Sequence, residues 1–115
     1  MLSLPPQVRV FLCTQPTDMR KSFDGLSGLV EEVFGAELLS GDLFVFLNRR
    51  RDRVKILGWD RDGLMIWYKR LEVGTFQLPP ATAAGVELDA AELSMLLAGV
   101  DLTSARRRKR YRVPA

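Results

Sequence analysis

Aspartate and arginine are the residues of this 115-residue chain whose types and spacing could do chemistry. Five aspartates stand in or beside polar breaks between apolar stretches: Asp18, Asp24, Asp52, Asp60 and Asp62. Phosphoryl transfer by two metal ions needs carboxylates that converge on one point. Asp18 suits a helix cap, however, and Asp52, Asp60 and Asp62 suit turns. A metal-dependent nuclease is therefore the least favoured hypothesis, and we expect no catalytic residue, no metal and no cofactor.

The chain has no histidine and a single cysteine, Cys13. Without an imidazole it cannot build a Ser-His-Asp or Cys-His site, a zinc site with a histidine ligand or a histidine-based pH switch. Cys13 follows an apolar run at 8–12, so we expect a buried structural thiol. A lone cysteine fits a reducing cytoplasm. We also expect neither a membrane span nor a signal peptide, because no apolar run is long enough for the first and residues 1–6 lack the features of the second.

Positive charge is concentrated in one turn and in the last ten residues. Residues 1–105 hold all 14 acidic side chains but only 11 basic ones, so this part carries a net charge of −3. Clustered cations bind nucleic-acid phosphates without sequence preference. The predicted nucleic-acid-binding residues are Arg49, Arg50, Arg51, Arg53, Lys69, Arg70, Arg106, Arg107, Arg108, Lys109, Arg110 and Arg112. The alternative for Arg49–Arg53 is a solvated turn balanced by Asp52, Asp60 and Asp62.

The stretch from Gly41 to Pro79 predicts a β-sheet. Three apolar runs alternate with short polar breaks at Asn48–Asp52 and Asp60–Gly63, which is the pattern of an antiparallel meander. In the second break we expect Gly63 to supply the positive φ that a tight hairpin requires. Residues Leu43–Leu47 are apolar on both faces, so they should form a central strand covered on both sides. One helix cannot cover so much apolar sheet, and a second helix or a second copy of the chain must help.

A helix is predicted before this sheet. Apolar residues recur at helical spacing from Met19 to Phe34, and Thr17 or Asp18 can cap the helix. Gly25 and Gly28 lie inside it, where each costs about 1 kcal/mol relative to alanine. Close packing of another backbone against these glycines is the favoured explanation.

Further elements are predicted at the two ends of the chain. The apolar run at 8–12 reads as a short strand, and residues 79–85 have the composition of a linker. Asp89 and Glu92 form a capping box at the start of a short helix, Ala90–Ala98.

Together these elements predict an α+β fold. An antiparallel meander sheet of about four strands would pack against one long N-terminal helix and a short C-terminal helix. Residues 1–102 would form a single domain, and residues 103–115 a basic, disordered tail.

Several motifs resemble those of a known family. They occur in the same order as in the TnpB accessory proteins of the insertion sequence 66 (IS66) family of bacterial transposable elements, at Thr17–Leu26, Asn48–Arg53, Trp59–Gly63 and Trp67–Glu72. The similarity spans roughly residues 5–102 and departs from the family pattern at Ser22, Gly58 and Leu78. The resemblance implies a small protein encoded beside a transposase that assists movement of the element. It does not imply that the chain cuts DNA.

Two functions remain open from the sequence. The first is a non-catalytic accessory factor in transposition that contacts DNA through the arginine turn and the tail. The second is an adaptor that binds the transposase, or another copy of itself, without touching DNA. Residues predicted to bind such a partner are Arg20, Lys21, Trp59, Trp67 and Tyr68. Arg20 and Lys21 oppose the dipole of the predicted helix and so suit an anionic ligand or an acidic partner, but a solvated pair beside Asp18 and Asp24 is the favoured alternative. The aromatics are also ordinary core residues.

Overall fold

A computed structural model describes residues 7–35, 41–79 and 81–98. These residues form a five-stranded sheet with helices on both faces. The elements in chain order are β1 (Val10–Cys13), α1 (Phe23–Leu29), β2 (Leu43–Leu47), β3 (Arg53–Asp60), β4 (Gly63–Arg70), β5 (Gly85–Leu88) and α2 (Ala90–Ala98). α1 continues directly into a π-helical turn at Val30–Phe34. The predicted disordered tail at 103–115 and the domain boundary at residue 102 lie outside the described residues.

The sheet has the strand order β4-β3-β2-β1-β5 and mixes parallel and antiparallel pairs. β2, β3 and β4 are antiparallel neighbours, whereas β1 lies parallel to β2 and antiparallel to β5. The predicted fold class, an antiparallel sheet of about four strands with one long N-terminal helix, is therefore wrong. The physical reason is the helical connection between β1 and β2, because a crossover that contains a helix allows parallel pairing and a short hairpin does not.

The remaining differences from the predicted fold are local. The linker predicted at 79–85 overlaps β5, whose four residues pair with β1 at the edge of the sheet. The first helix begins at Phe23 instead of Met19, because Asp18–Lys21 form a turn in which the Lys21 amide donates to the Asp18 carbonyl (3.1 Å). The predicted cap is wrong as well, since Ser22 occupies the capping position and makes no side-chain cap bond.

Both faces of the sheet are covered by the chain itself. Beneath α1 lies a cluster of Cys13, Leu26, Val30, Phe44, Phe46 and Leu57, which confirms the predicted burial of the thiol. On the other face α2 contributes Leu93, Leu96 and Leu97 to a second cluster. β2 is buried along its whole length, as predicted for the central strand. A second helix therefore provides the cover that one helix cannot.

The predicted capping box at the start of α2 is confirmed. The Glu92 amide donates to Oδ1 of Asp89 (2.7 Å), and the Asp89 amide donates to Oε1 of Glu92 (3.0 Å). Two backbone amides that the helix cannot satisfy are thus satisfied reciprocally. This cap fixes the start of the helix that carries the three buried leucines.

The hairpin between β3 and β4 differs from the prediction in one backbone angle. Asp60 pairs with Gly63, so the turn contains two residues. The positive φ belongs to Arg61 (54°), and Gly63 is not among the residues with positive φ. The indole N–H of Trp59 donates to the Arg61 carbonyl (3.2 Å), which holds the turn in this form.

Within the described residues, no backbone of the chain packs closely against the two helix glycines. A Cβ added at Gly28 would meet nothing within 4 Å, and one at Gly25 would meet the Lys21 side chain first, at 3.1 Å. A tight approach occurs instead at Gly85 of β5. A Cβ there would lie 2.5 Å from a ring carbon of Phe34, whose ring packs against those of Phe11 and Phe44.

We expect Gly85→Ala to lower the free energy of unfolding by about 1–3 kcal/mol, because the added methyl overpacks the Phe34 ring. Urea denaturation measures this change. The matched control is Gly28→Ala, which has free space and should raise the free energy of unfolding by up to about 1 kcal/mol. Equal effects of the two substitutions would contradict the packing described here.

Candidate nucleic-acid interface

Most of the polar motifs lie along one edge of the sheet, the one formed by the ends of its strands. Because β1 is parallel to β2, and β4 is antiparallel to β3, the carboxyl ends of β1, β2 and β4 meet there with the amino end of β3. The segment after β1, the turn at Asn48–Asp52 and the end of β4 therefore lie side by side. This region is named the arginine edge and comprises Arg20, Arg49, Arg50, Arg51, Arg53 and Arg70.

A groove of about 420 Å³ opens at the arginine edge. Its lining residues are Thr17, Asp18, Met19, Arg20, Asn48, Arg49, Arg50, Arg53 and Tyr68. Three stretches that are distant in sequence thus share one site. The sequence prediction assigned Arg20 and Tyr68 to a protein partner and the turn to nucleic acid, but the structure places them around one groove.

Asn48 organises the turn that carries the arginines. Its Oδ1 accepts hydrogen bonds from the amides of Asp52 (3.1 Å) and Arg53 (3.0 Å), and its Nδ2 donates to the Asp52 carboxylate (2.6 Å). Asparagine commonly binds backbone amides a few residues ahead in this way, which is a turn signal that the sequence prediction did not use. Asp52 is therefore engaged within the turn, as predicted.

The segment after β4 braces the same turn. The Phe76 amide donates to the Arg51 carbonyl (2.6 Å), and the Leu71 amide donates to the Asp52 carbonyl (2.7 Å). Arg51 itself has φ of 59°, a left-handed conformation that costs an L-residue about 1–2 kcal/mol. The turn is held in one shape while its arginine side chains stay exposed.

The arginines of the turn have no carboxylate partner among the residues that the structure describes. In that part of the chain the ion pairs are Arg9–Glu87, Arg20–Asp18 and Arg70–Glu72. Arg53 and Arg70 occupy directly opposite positions on β3 and β4. Glu72 offsets the charge of Arg70, whereas Arg53 has no carboxylate partner in the described residues and keeps a charge that an anion can neutralise.

Lys55 connects the groove to the sheet, a role that the sequence prediction missed. Its ammonium donates to the carbonyls of Met19 and Lys21 (both 2.8 Å), and the residue is only 8% exposed. The same Nζ lies 4.9 Å from the centre of the Tyr68 ring, within the range of a cation–π interaction. Lys55 therefore positions both Arg20 and Tyr68. The available signal was its place on the same strand face as buried Leu57.

The predicted partner-binding aromatics do not form one surface. Trp67 packs against the cluster beneath α2, and Tyr68 lies on the opposite face of the sheet. Trp59 belongs to the β3–β4 hairpin, at the edge away from the groove. Tyr68 alone of the three lines the groove, and it is 49% exposed.

Some of the predicted binding residues do not line the groove. Lys69 and Lys21 are exposed, and neither lines the groove. The predicted tail residues lie outside the described residues: Arg106, Arg107, Arg108, Lys109, Arg110 and Arg112.

The candidate aspartates do not converge on one metal-binding group in the described residues. Asp18 binds Arg20, and Asp52 binds Asn48. Within residues 7–35, 41–79 and 81–98, no group of three or more histidine, cysteine or acidic side chains could hold a metal ion. Neither α1 nor α2, nor any other helix in the described ranges, has the length and apolarity needed to cross a membrane.

The fold and the groove define a small mixed α/β domain with a cationic sheet edge. The chain belongs to the IS66 Orf2-like family, whose model matches residues 8–107. This confirms the family resemblance and associates the chain with transposition of IS66-type insertion sequences as an accessory protein.

Two relatives from Sinorhizobium fredii (strain NBRC 101917 / NGR234) are similar over most of the chain. The uncharacterized protein y4jC is 37% identical over 101 residues, which cover 88% of this chain and 86% of the relative. The uncharacterized protein y4hO is 39% identical over 101 residues, which cover 88% of each. No solved structure matches the chain.

Arg20 controls the protonation of Asp18. Its guanidinium and its backbone amide donate to the carboxylate and lower the pKa of Asp18 from an ordinary 3.8 to about 2. Because the folded-state pKa lies below the unfolded one, the pair stabilises the fold above pH 4 and loses that contribution as the pH falls toward 2.

We expect a carboxyl NMR titration to give Asp18 a pKa of about 2, and Arg20→Gln to return it toward 3.8. Lys21→Gln is the control, because the charge of Lys21 influences the Asp18 carboxyl less than Arg20 does and its removal should change the pKa little. A pKa of Asp18 near 3.8 in the unmodified chain would contradict the ion pair.

Lys55→Met should destabilise the chain by about 1–3 kcal/mol, because two part-buried backbone carbonyls lose their charged donor. Denaturant unfolding measures the loss, and amide exchange should show faster opening at Arg20 and Lys21. Lys69→Met removes an exposed lysine from the neighbouring strand and should change stability by no more than about 0.5 kcal/mol. Unchanged exchange at Arg20 in Lys55→Met would show that Lys55 does not position that segment.

Proposed function

We propose that this chain is a non-catalytic accessory factor in transposition that binds the DNA backbone through the arginine edge. The observation that carries the proposal is the groove itself, which gathers Arg20, Arg49, Arg50 and Arg53 from two separate segments. Three of these have no carboxylate partner among the described residues. Such a role suits a cytoplasmic protein that works beside a transposase.

The chemistry of the edge favours phosphate as the ligand. Arginine presents a planar fork of donors that matches two phosphate oxygens, and binding releases the counterions condensed on DNA. The turn also presents these forks from a fixed backbone, since Asn48 and the segment after β4 brace it. Less side-chain and backbone freedom is lost on binding when the donors are held in place beforehand.

The basic tail is proposed to add affinity without sequence preference. Six lysine or arginine residues occur within residues 106–112 and no acid accompanies them there. Charge of one sign in a short segment attracts DNA over a distance of roughly the Debye length, about 10 Å at 0.1 M salt. The tail would therefore steer the domain toward DNA, while the arginine edge sets its orientation.

An adaptor role has weaker support. The hypothesis rested partly on apolar sheet surface left uncovered. β2 is buried along its whole length between α1 and α2, whereas no residue of β4 is fully buried. In the described part of the chain the large exposed apolar side chains are Phe23, Met65, Tyr68 and Val73, and Met65 and Tyr68 face opposite sides of β4. Contact with the transposase or with a second copy stays a prediction.

We expect Arg49→Gln with Arg50→Gln to weaken duplex DNA binding and to flatten its salt dependence. Each lost phosphate contact removes about 0.9 from the slope of log affinity against log salt, so the double variant should lose about 2. Fluorescence anisotropy with a duplex of about 20 base pairs, measured between about 50 and 200 mM salt, gives this slope.

The matched control removes two cations elsewhere, in Arg9→Gln with Arg61→Asn. Arg9 is paired with Glu87, and Arg61 lies in the hairpin at the other edge of the sheet. Asparagine suits the left-handed backbone at position 61. Equal losses of affinity and salt slope in both double variants would show that net charge alone accounts for the effect. Absence of salt-dependent binding by the unmodified chain would refute the proposal. The DNA affinity of a chain that ends at Ala105 shows how much the tail contributes to binding.

A further inference from the structure

We infer that the groove at the arginine edge accepts an unpaired nucleotide, so that the chain binds single-stranded DNA, or duplex ends with an unpaired overhang, in preference to blunt duplex. The inference rests on the proposed function and specifies its substrate. It follows from the presence of an exposed aromatic ring among the arginines of the groove.

Tyr68 is the residue that phosphate binding alone does not explain. The ring and Met19 line a groove whose other residues are polar or charged, four of them arginines and one of them Asp18, and the ring is 49% exposed. The exposed part of the ring offers a face to an apolar, planar partner within a groove lined by arginines. Aromatic side chains in such grooves stack on unpaired bases, and every base offers a face for this contact.

The surroundings of Tyr68 hold the ring in place for stacking. Lys55 places its ammonium 4.9 Å from the ring centre and is itself anchored by two backbone carbonyls. The guanidinium of Arg53 lies 3.5 Å from the Tyr68 hydroxyl. A cation against one face also draws electron density from the ring, which favours a stack with an electron-rich base on the other.

The arginines are placed for the phosphates on either side of a stacked base. Arg53 adjoins the ring, and the pair Arg49–Arg50 lines another part of the same groove, whereas Arg20 is held by Asp18. A stacking platform inside a positively charged groove is the combination that single-stranded nucleic acid requires.

Base pairing separates the two forms of DNA. The groove, of about 420 Å³, is shallow and open to solvent, so a base can stack on the exposed Tyr68 ring only if the base is free of its own partners. A base within a duplex is stacked and paired, so it reaches such a site only after it leaves the helix, at a cost of a few kcal/mol. Blunt duplex can therefore meet the arginines at the rim but not the ring.

The test compares three probes of one sequence with the full chain at one salt concentration: single-stranded DNA, blunt duplex, and duplex with an unpaired overhang. Fluorescence anisotropy should show single-stranded DNA and the overhang probe bound at least about fivefold more tightly than blunt duplex. Tyr68→Ala should weaken binding to these two probes by about 5- to 150-fold, the range measured for loss of one stacked base, and leave blunt duplex within about twofold.

Three further variants make the result specific. Tyr68→Phe keeps the ring and should retain the preference, whereas Tyr68→Leu keeps apolar bulk for folding and should lose it. Phe23→Ala removes an aromatic of similar exposure (44%) that does not line the groove, and it should behave as the unmodified chain. Thermal unfolding confirms that each variant is folded.

The outcomes distinguish failure of this inference from failure of the proposed function. Equal or tighter binding of blunt duplex, unaffected by Tyr68→Ala or Tyr68→Leu, overturns the inference and leaves phosphate binding intact. A preference for single strands that persists in Tyr68→Leu also overturns it, because the ring then plays no part. Absence of binding to all three probes overturns the proposed function and the inference together.

Discussion

The parallel pairing of β1 with β2 is the constraint on which the arrangement of this protein depends. It places the segment after β1 and the turn after β2 at one edge of the sheet, where the end of β4 joins them. Had β1 run antiparallel to β2, Arg20 would lie at the edge opposite the arginine turn. The groove would then lose one of its walls, and its charge would be divided between two ends of the molecule.

Two polar side chains, Lys55 and Asn48, fix the positions of the segments that form the groove. Lys55 reaches out of the sheet to the backbone around Arg20, and Asn48 fixes the turn that carries the arginines. Neither side chain presents charge to solvent at the groove. Each one fixes the backbone of a segment that carries arginine side chains. The covered faces of the sheet supply the rigid base, because α1 and α2 each bury one hydrophobic cluster.

The sequence predicts what local patterns encode and misses what depends on distant pairing. The apolar runs that become β2, β3 and β4 could be identified, as could the Asp89–Glu92 cap, because each is specified by residues within a few positions. The direction of β1 could not, since a four-residue strand carries no information on which neighbour it joins. Lys55 was missed for the same reason: the carbonyls that it satisfies lie more than 30 residues away.

The backbone at Arg51 has a consequence for engineering of this protein. Its left-handed angle suits glycine better than arginine, so conformational preference and surface charge select different residues at this position. Variants chosen for heat resistance alone would tend to accumulate glycine or asparagine there and gradually erode the cationic surface. Selection for thermostable forms of this domain would therefore need a simultaneous screen for the proposed binding of DNA.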